Sequence, residues 1–311
     1  MTVNFKLLKS FVTAVDANSL SAAASRLQLA QPALSQQIAA LESHFKQKLL
    51  VRSNMGVTPT DAGRELYRHA IQILGHLEQA EFEVARKASV LAGKVSVGIA
   101  TYSSTSILAT PLLKAVRDKY PNINLFINDN FGLVLSEMVM TGRMDMAIIY
   151  ASGPIKGVAL ESVLMEELFL IAPPHTRLPP SSDNEIRLAA LAEMDLLLPG
   201  PRHFLRRLID NAFAQVGIEP RVAAEIESAA TLRDAIEAGL GATILPWAVA
   251  SNFAGLEPPV IRRVIEPTIQ ATVSLCVSDH LTMSDSALAV REVLDQLVRW
   301  TCRVEKIEGD R

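Results

Sequence analysis

The chain has 311 residues, of which 49% are hydrophobic and 20% charged, with a net charge of −3; this composition is typical of a globular protein. Because a single hydrophobic core rarely exceeds about 250–300 residues, we expect more than one domain. Two cysteines are too few for a disulfide framework or a thiolate metal site. The lack of a signal peptide and of an apolar run of about 18–20 residues predicts a cytoplasmic protein without a membrane span.

Charge is unevenly distributed along the chain. Residues 1–60 carry six basic and two acidic side chains, a net charge of +4, which leaves −7 for the remaining residues. A basic N-terminal segment attached to an acidic body indicates that the N-terminal end binds phosphate groups.

The first predicted elements are a helix over residues 4–15 and a helix–turn–helix within residues 19–45. We expect Ser21 to cap the first helix of this pair. We expect Pro32 to take the first position of the second helix, with Gln31 just outside it. Apolar residues at helical spacing on the second helix predict a buried stripe. Its members are Leu34, Ile38, Leu41 and Phe45.

The opposite face of the second helix is polar, uncharged and rich in small residues. Gln can bond bidentately to adenine, Ala can contact a thymine methyl group, and Ser suits a phosphate. The alternative is an ordinary solvated helix in a helical hairpin, although such a helix more usually carries Lys and Glu outside. The DNA contacts predicted here are Gln31, Pro32, Ala33, Ser35, Gln36 and Gln37.

Residues 48–58 predict two short strands joined by a turn, which together form a wing. Arg52 at its base can reach a phosphate or enter a narrow minor groove. A surface salt bridge is the alternative for this arginine. Asn54 in the turn is a further predicted DNA contact.

A long helix is predicted over residues 60–91, with apolar residues repeating about every 3.5 positions, which favours a coiled-coil seam. The alternative is an amphipathic helix packed on its own domain. However, about 30 residues make a helix roughly 45 Å long, too long to bury against a 60-residue domain. We therefore interpret it as a linker through which a homodimer forms.

From residue 94 onward strands and helices alternate, which predicts a parallel sheet with helices on both faces. A strand and a helix left over at the end indicate two subdomains joined by crossing strands. The predicted strands are 95–100, 123–127, 146–150, 167–172, 195–198, 221–226, 242–245 and 270–277, and the predicted helices are 111–120, 133–141, 204–216, 229–238 and 286–300. The predicted domains are 1–59, 60–92, 93–163 with 268–303, and 164–267.

Several short stretches resemble the LysR-type transcriptional regulators: AQPALSQQI at 30–38, LLVR at 49–52 and PTDAG at 59–63. Two positions depart from the family pattern. Lys46 stands where a helix-ending Gly is common, and in a left-handed cap it would cost about 1 kcal/mol relative to Gly. Leu50 stands where Phe is common.

The resemblance implies a multidomain fold. It comprises an N-terminal winged helix-turn-helix, a long linker helix and a C-terminal α/β effector domain. That effector domain has two Rossmann-like subdomains and is similar to periplasmic binding proteins. The implied function is sequence-specific transcriptional regulation on double-stranded DNA as a homodimer or homotetramer, with RNA polymerase as a further partner. Within the family, the stretches at 30–37, 56–63, 145–150 and 225–232 resemble most a regulator of nitrogen metabolism, which implies nitrogen-linked control.

Two alternatives belong to other functional classes. One is a small-molecule carrier whose N-terminal helices only mediate assembly, and the other is an enzyme that uses the α/β cleft. No Ser/His/Asp or Cys/His grouping is recognisable and the histidines lack metal-ligand spacing, so we expect no enzyme, metal or cofactor.

Ligands of open α/β sheets bind beyond the carboxyl ends of the strands. Hydroxyl groups at these ends, facing Arg202, suit a small carboxylate or other anion as effector. The alternatives are that the polar residues are helix caps and turn residues, and that Glu227 pairs with Arg202. The predicted effector contacts are Thr101, Tyr102, Ser103, Asn128, Asn130, Arg202, Glu227 and Ser228.

Overall fold

The computed structural model describes residues 3–53, 56–85, 91–179, 184–250 and 258–309. The chain forms two compact units, one of residues 1–89 with 141–143 and one of residues 90–140 with 144–311. Within the described residues, no helix is both long enough and apolar enough to cross a membrane.

The N-terminal unit is a three-helix core followed by a hairpin and a long helix. Phe11 of the first helix and Leu34, Ile38 and Leu41 of the third are fully buried, so these three members of the predicted stripe are confirmed. The elements are α1 (Phe5–Asp16), α2 (Leu20–Arg26), α3 (Gln31–Phe45), β1 (Leu50–Ser53), β2 (Gly56–Pro59) and α4 (Asp61–Ala85).

Three sequence predictions for this unit are wrong in detail. Ser19, not Ser21, caps α2, because its side chain accepts the amide of Ala22 while Ser21 lies inside the first turn. Pro32 takes the second position of α3, since Ala30 is the N-terminal cap. Phe45 is 42% exposed, because α3 ends there and the chain leaves the core.

Lys46 ends α3 in the left-handed conformation, with a φ of 53°. The condition stated for Lys46 in the sequence analysis, a left-handed cap without glycine, is therefore met in the structure. An L-residue with a Cβ is strained in this conformation, so the position costs free energy in the folded chain.

The second unit contains a mixed sheet flanked by helices. Its strands are β3 (Gly93–Ala100), β4 (Ile123–Asn130), β5 (Met146–Tyr150), β6 (Val158–Ala172), β7 (Glu185–Arg187), β8 (Leu196–Leu198), β9 (Val222–Glu225), β10 (Thr243–Pro246), β11 (Val260–Ile265) and β12 (Gln270–Ser278). Its helices are α5 (Ala109–Lys119), α6 (Gly132–Met140), α7 (Phe204–Gln215), α8 (Ala229–Glu237), α9 (Trp247–Ala250) and α10 (Asp285–Gly309), with 3₁₀ turns at Ser104–Leu108 and Leu188–Leu191.

Strand order in the main sheet is β4-β3-β5-β12-β6-β11-β7, with β10 also paired to β6. β3 pairs in parallel with β4 and β5, as the alternation predicts, whereas β12 is antiparallel to both β5 and β6. The predicted parallel pairing is therefore confirmed for β3, β4 and β5, whereas the antiparallel direction of β12 was not predicted, since hydrophobic pattern alone does not encode strand direction.

The strand β6 is much longer than predicted. Its first half pairs with β12, and its second half has β10 and β11 on opposite edges. The hydrophobic pattern does not predict a strand at residues 158–166, because polar residues interrupt the apolar run there. The pattern does not predict β11 for the same reason, since Arg262 and Arg263 lie in the middle of that strand. β8 and β9 form a separate parallel pair.

Candidate nucleic-acid interface and ligand cleft

The outward face of α3 is accessible. Gln31, Pro32 and Gln36 are exposed, and Ala33 and Ser35 are partly buried. α3 begins with two exposed residues and has no charged residue among its first eleven. Its backbone can therefore approach another surface closely, because no long charged side chain lies between them. Such a face suits the width of a major groove.

Two of the glutamines on α3 are held by serines. Ser21 of α2 donates to Gln31 Oε1 at 3.1 Å. Ser10 of α1, which is buried, donates to Gln37 Oε1. The second contact directs the partly buried Gln37 toward α1, so it belongs to the packing between α1 and α3 rather than to the face that carries Gln36.

The wing carries Arg52 on its first strand. Arg52 is exposed and lies opposite Val57 in the antiparallel pair of β1 and β2, one pair from the end of the hairpin nearest the turn and not at the base of the wing as predicted. Within the described residues it makes no ion pair, so the salt-bridge alternative is not what the structure shows. Asn54, the other predicted wing contact, lies outside the described residues.

A cleft of about 370 Å³ opens in the α/β unit beyond the ends of β3 and β5. Two arginines, Arg202 and Arg207, reach it from the segment that starts α7. The cleft therefore combines two cations with aromatic walls, which suits a small anion with an apolar body. Its other principal lining residues are Ala100, Phe131, Ser136, Tyr150, Ser152 and Phe204.

Among the predicted effector residues, Arg202 alone lines this cleft within the described part of the chain. Ser103 and Ser228 are helix caps, because their side chains accept the amides of Thr105 and Thr231. Both therefore follow the alternative interpretation in the present conformation.

Asn128, Asn130 and Glu227 do not line the cleft, and each makes a contact of its own elsewhere in the described part of the chain. Asn130 Oδ1 accepts the amide of Phe131 at 2.8 Å, and Asn128 Nδ2 lies 3.7 Å from the sulfur of Met138. Glu227 accepts the amide of Gly200 at 3.2 Å. In the described residues Glu227 forms no ion pair with Arg202.

Tyr102 links the segments that follow β3 and β9. It is buried, has a φ of 60°, and its hydroxyl donates to the carbonyl of Ile226 at 3.0 Å. Its neighbour Thr101 lies 3.4 Å from His203 Nε2. Tyr102 and Thr101 therefore hold the cleft walls together, which is a structural role.

His203 forms part of the cleft wall, although it is not among the predicted effector contacts. Its Nδ1 accepts the amide of Leu205 and so caps α7. Burial, with a smaller contribution from the charge of Arg207, lowers the pKa of His203 to about 4. The imidazole is therefore neutral near pH 7.

A buried carboxylate, Glu166, is likewise not among the predicted contacts. It is 4% exposed and accepts the amide of Ser104 at 3.2 Å and the hydroxyls of Ser104 and Tyr150. The Tyr150 ring in turn stacks on Phe204 at 5.5 Å. The sequence offered no signal for this group, because Ser104 is 62 positions from Glu166 and only the fold brings them together.

Comparison with known proteins covers both units. Residues 5–64 match the family described as "Bacterial regulatory helix-turn-helix protein, lysR family", and residues 88–299 match the "LysR substrate binding domain". The chain is 40% identical over 296 residues to the nitrogen assimilation regulatory protein nac of Escherichia coli K12, covering 95% of each chain. It is 38% identical to the protein of the same name in Klebsiella aerogenes, again covering 95% of each chain.

Solved structures share the fold. Full-length OxyR from Pseudomonas aeruginosa gives a TM-score of 0.70 at 23% identity, covering 96% of this chain and 98% of that one. CbnR, a LysR family regulator, gives 0.64 at 22% identity, covering 96% and 99%. CbnR complexed with its target DNA gives 0.53 at 23% identity, covering 95% of this chain and 100% of that one.

Proposed function

The chain belongs to the LysR family and is a DNA-binding transcriptional regulator, and we propose that α3 enters the major groove while the wing contacts the neighbouring backbone or minor groove. The observation that carries this is the exposed, uncharged outer face of α3. In this proposal Gln36 reads a base edge, Arg52 supplies the wing contact, and the remaining contacts are Gln31, Pro32, Ala33 and Ser35.

A matched pair of variants tests the role of Gln36. The probe is the duplex that the unaltered full chain selects from a random-sequence library. Gln36→Ala is expected to cost about 1–3 kcal/mol of binding at one base position and to relax the preference there. Gln37→Ala, on the same helix, is expected to leave base preference unchanged while lowering stability. An equal loss on every sequence for Gln36→Ala would make it a backbone contact and contradict the assignment.

We propose further that α4 pairs two chains and that two dimers form a homotetramer. Leu66, Tyr67 and Leu74 of α4 pack on the core of their own unit, whereas Ile73 is 43% exposed on the same helix. Light scattering of Ile73→Asp should show dissociation. An unchanged mass would rule out this seam.

The cleft is proposed to bind a small anionic effector between its arginines and its aromatic walls. Calorimetry of the full chain with a panel of small carboxylates, with and without an apolar body, tests this. Arg202→Ala and Arg207→Ala should each weaken binding about tenfold or more, as expected for a lost charged hydrogen bond. Equal affinity for variants and unaltered protein would exclude the cleft as the site.

Regulation of nitrogen assimilation from the cytoplasm, through contact with RNA polymerase, is the proposed physiological role. It is supported by the names of the relatives that are 38–40% identical over nearly the whole chain. Transcript profiles of a deletion strain under nitrogen limitation test it. Changes confined to unrelated genes would contradict it. The carrier alternative is not favoured, since both family matches are to parts of transcriptional regulators.

A further inference from the structure

The end of α3, the first wing strand and the start of α4 meet at residues 48–50. From α3, Glu42 Oε1 accepts the amides of Leu49 at 3.0 Å and Leu50 at 3.3 Å. Glu42 Oε2 pairs with Lys48 Nζ at 2.8 Å, and the Glu42 side chain is 10% exposed. Although burial raises the pKa of Glu42, the hydrogen bonds from Lys48 and the two amides lower it below its usual value. One charged carboxylate therefore holds the strand from the side of α3.

From the other side, Thr60 holds residues 48 and 49, which lead directly into the wing strand β1. Its hydroxyl donates to the carbonyl of Lys48 at 2.7 Å, and its amide donates to the carbonyl of Leu49 at 3.0 Å. The same hydroxyl accepts the amide of Gly63 at 3.0 Å, which caps the first turn of α4. A single side chain thus ties the segment that leads into the wing strand to the start of α4.

The backbone of α4 closely approaches Leu49, the residue that immediately precedes the wing strand β1. A Cβ built on Gly63 would lie 2.0 Å from the carbonyl oxygen of Leu49. Only a residue without a side chain permits this approach. The joint therefore leaves little room for the wing to shift relative to α4.

We propose that Glu42 and Thr60 are positioning residues for DNA binding, which hold the wing, and with it Arg52, at a fixed distance and angle from α3. A two-stranded hairpin by itself is at best marginally stable in water, so its placement depends on such anchors. The proposal rests on the wing contact of Arg52 proposed above. Neither residue touches DNA in this scheme, because both act through the strand that carries the arginine.

A double-mutant cycle separates positioning from a general loss of stability. The full chain is titrated with the duplex it selects from a random-sequence library. Arg52→Ala should weaken binding about tenfold in the otherwise unaltered protein and less than about threefold in a Thr60→Val background. Valine is close to threonine in shape and lacks the hydroxyl. Thr60→Ser keeps the hydroxyl and should restore the full effect of Arg52→Ala.

Hydroxyl-radical footprinting of the same duplex gives a second readout. Thr60→Val should lose the protection that flanks the major-groove contact and keep the protection beside Gln36. Glu42→Gln, which retains an acceptor oxygen without the charge, should lose part of the same flanking protection and provides a second variant if Thr60→Val does not fold.

Two outcomes overturn the positioning role. One is an equal Arg52→Ala effect in both backgrounds, and the other is a complete footprint for Thr60→Val. If Arg52→Ala has no effect in the unaltered protein, the wing contact itself is wrong. The footprint then tests the positioning role of Thr60 by itself. Loss of the flanking protection in Thr60→Val supports that role, and retention of the flanking protection overturns it.

Discussion

The outward face of α3 is made by residues within six positions of one another, whereas the cleft of the α/β unit is lined by side chains from separate segments between Ala100 and Arg207. On α3 the proposed DNA contacts project from one helix, and the buried residues on its opposite face pack against the core. In the cleft the same side chains, such as Tyr150 and His203, both line the site and hold the walls together. Substituting a proposed DNA contact on α3 should therefore change DNA binding alone. Substituting a cleft residue should change effector binding and the free energy of unfolding together.

Gly63 lies in the same unit as α3, yet its substitution is expected to change stability, unlike substitution of a base-contacting residue on α3. Gly63→Ala places a methyl group against the Leu49 carbonyl, so a backbone must move, and we expect a loss of about 3 kcal/mol in the free energy of unfolding. Gly75→Ala on the same helix meets nothing within 4 Å and should gain up to about 1 kcal/mol. Urea unfolding followed by circular dichroism measures both. Similar values for the two variants would show that the joint is loose.

His203 tests the same contrast in the cleft, because its protonation should change the free energy of unfolding. Its pKa is about 4 in the folded chain and about 6.5 when unfolded, so unfolding takes up a proton between these values. The contribution of the neutral His203 side chain to the free energy of unfolding is fully present above pH 6.5. It decreases by roughly 3 kcal/mol as the pH falls to 4. His203→Asn keeps a capping acceptor without the titrating group, so its unfolding free energy should fall less steeply in this window.

Urea unfolding at several pH values between 4 and 6.5 tests this prediction. Parallel curves for His203→Asn and the unaltered protein would mean that the imidazole does not contribute to the acid sensitivity.

The same contrast explains what could be predicted from the sequence. Helical period alone places Leu34, Ile38 and Leu41 inside and leaves Gln36 outside, because each position depends only on its neighbours. It fails at Phe45, where the helix ends. Helical periodicity does not predict where a helix ends and the chain turns away from the core.

The cleft was predicted less well because its residues meet through tertiary structure. Ser103 and Ser228 were expected to bind a ligand, yet each satisfies the amides of its own helix. Glu166 and His203 are not among the predicted effector contacts, since their partners lie on other elements. The antiparallel direction of β12 was not predicted for the same reason, because β12 returns to β5 and β6 from the far end of the chain.

Lys46 offers the smallest test, at a position where local reasoning was sufficient. Lys46→Gly relieves the left-handed strain at φ 53° and should raise the free energy of unfolding by about 1 kcal/mol. Lys46→Ala removes the same charge and keeps a Cβ, so it should give no such gain. If both variants weaken DNA binding equally while only Lys46→Gly gains stability, the lysine is retained for phosphate contact at the cost of a strained cap. Equal stability of the two would instead mean that the surrounding turn, and not the Cβ, determines the energy of this cap.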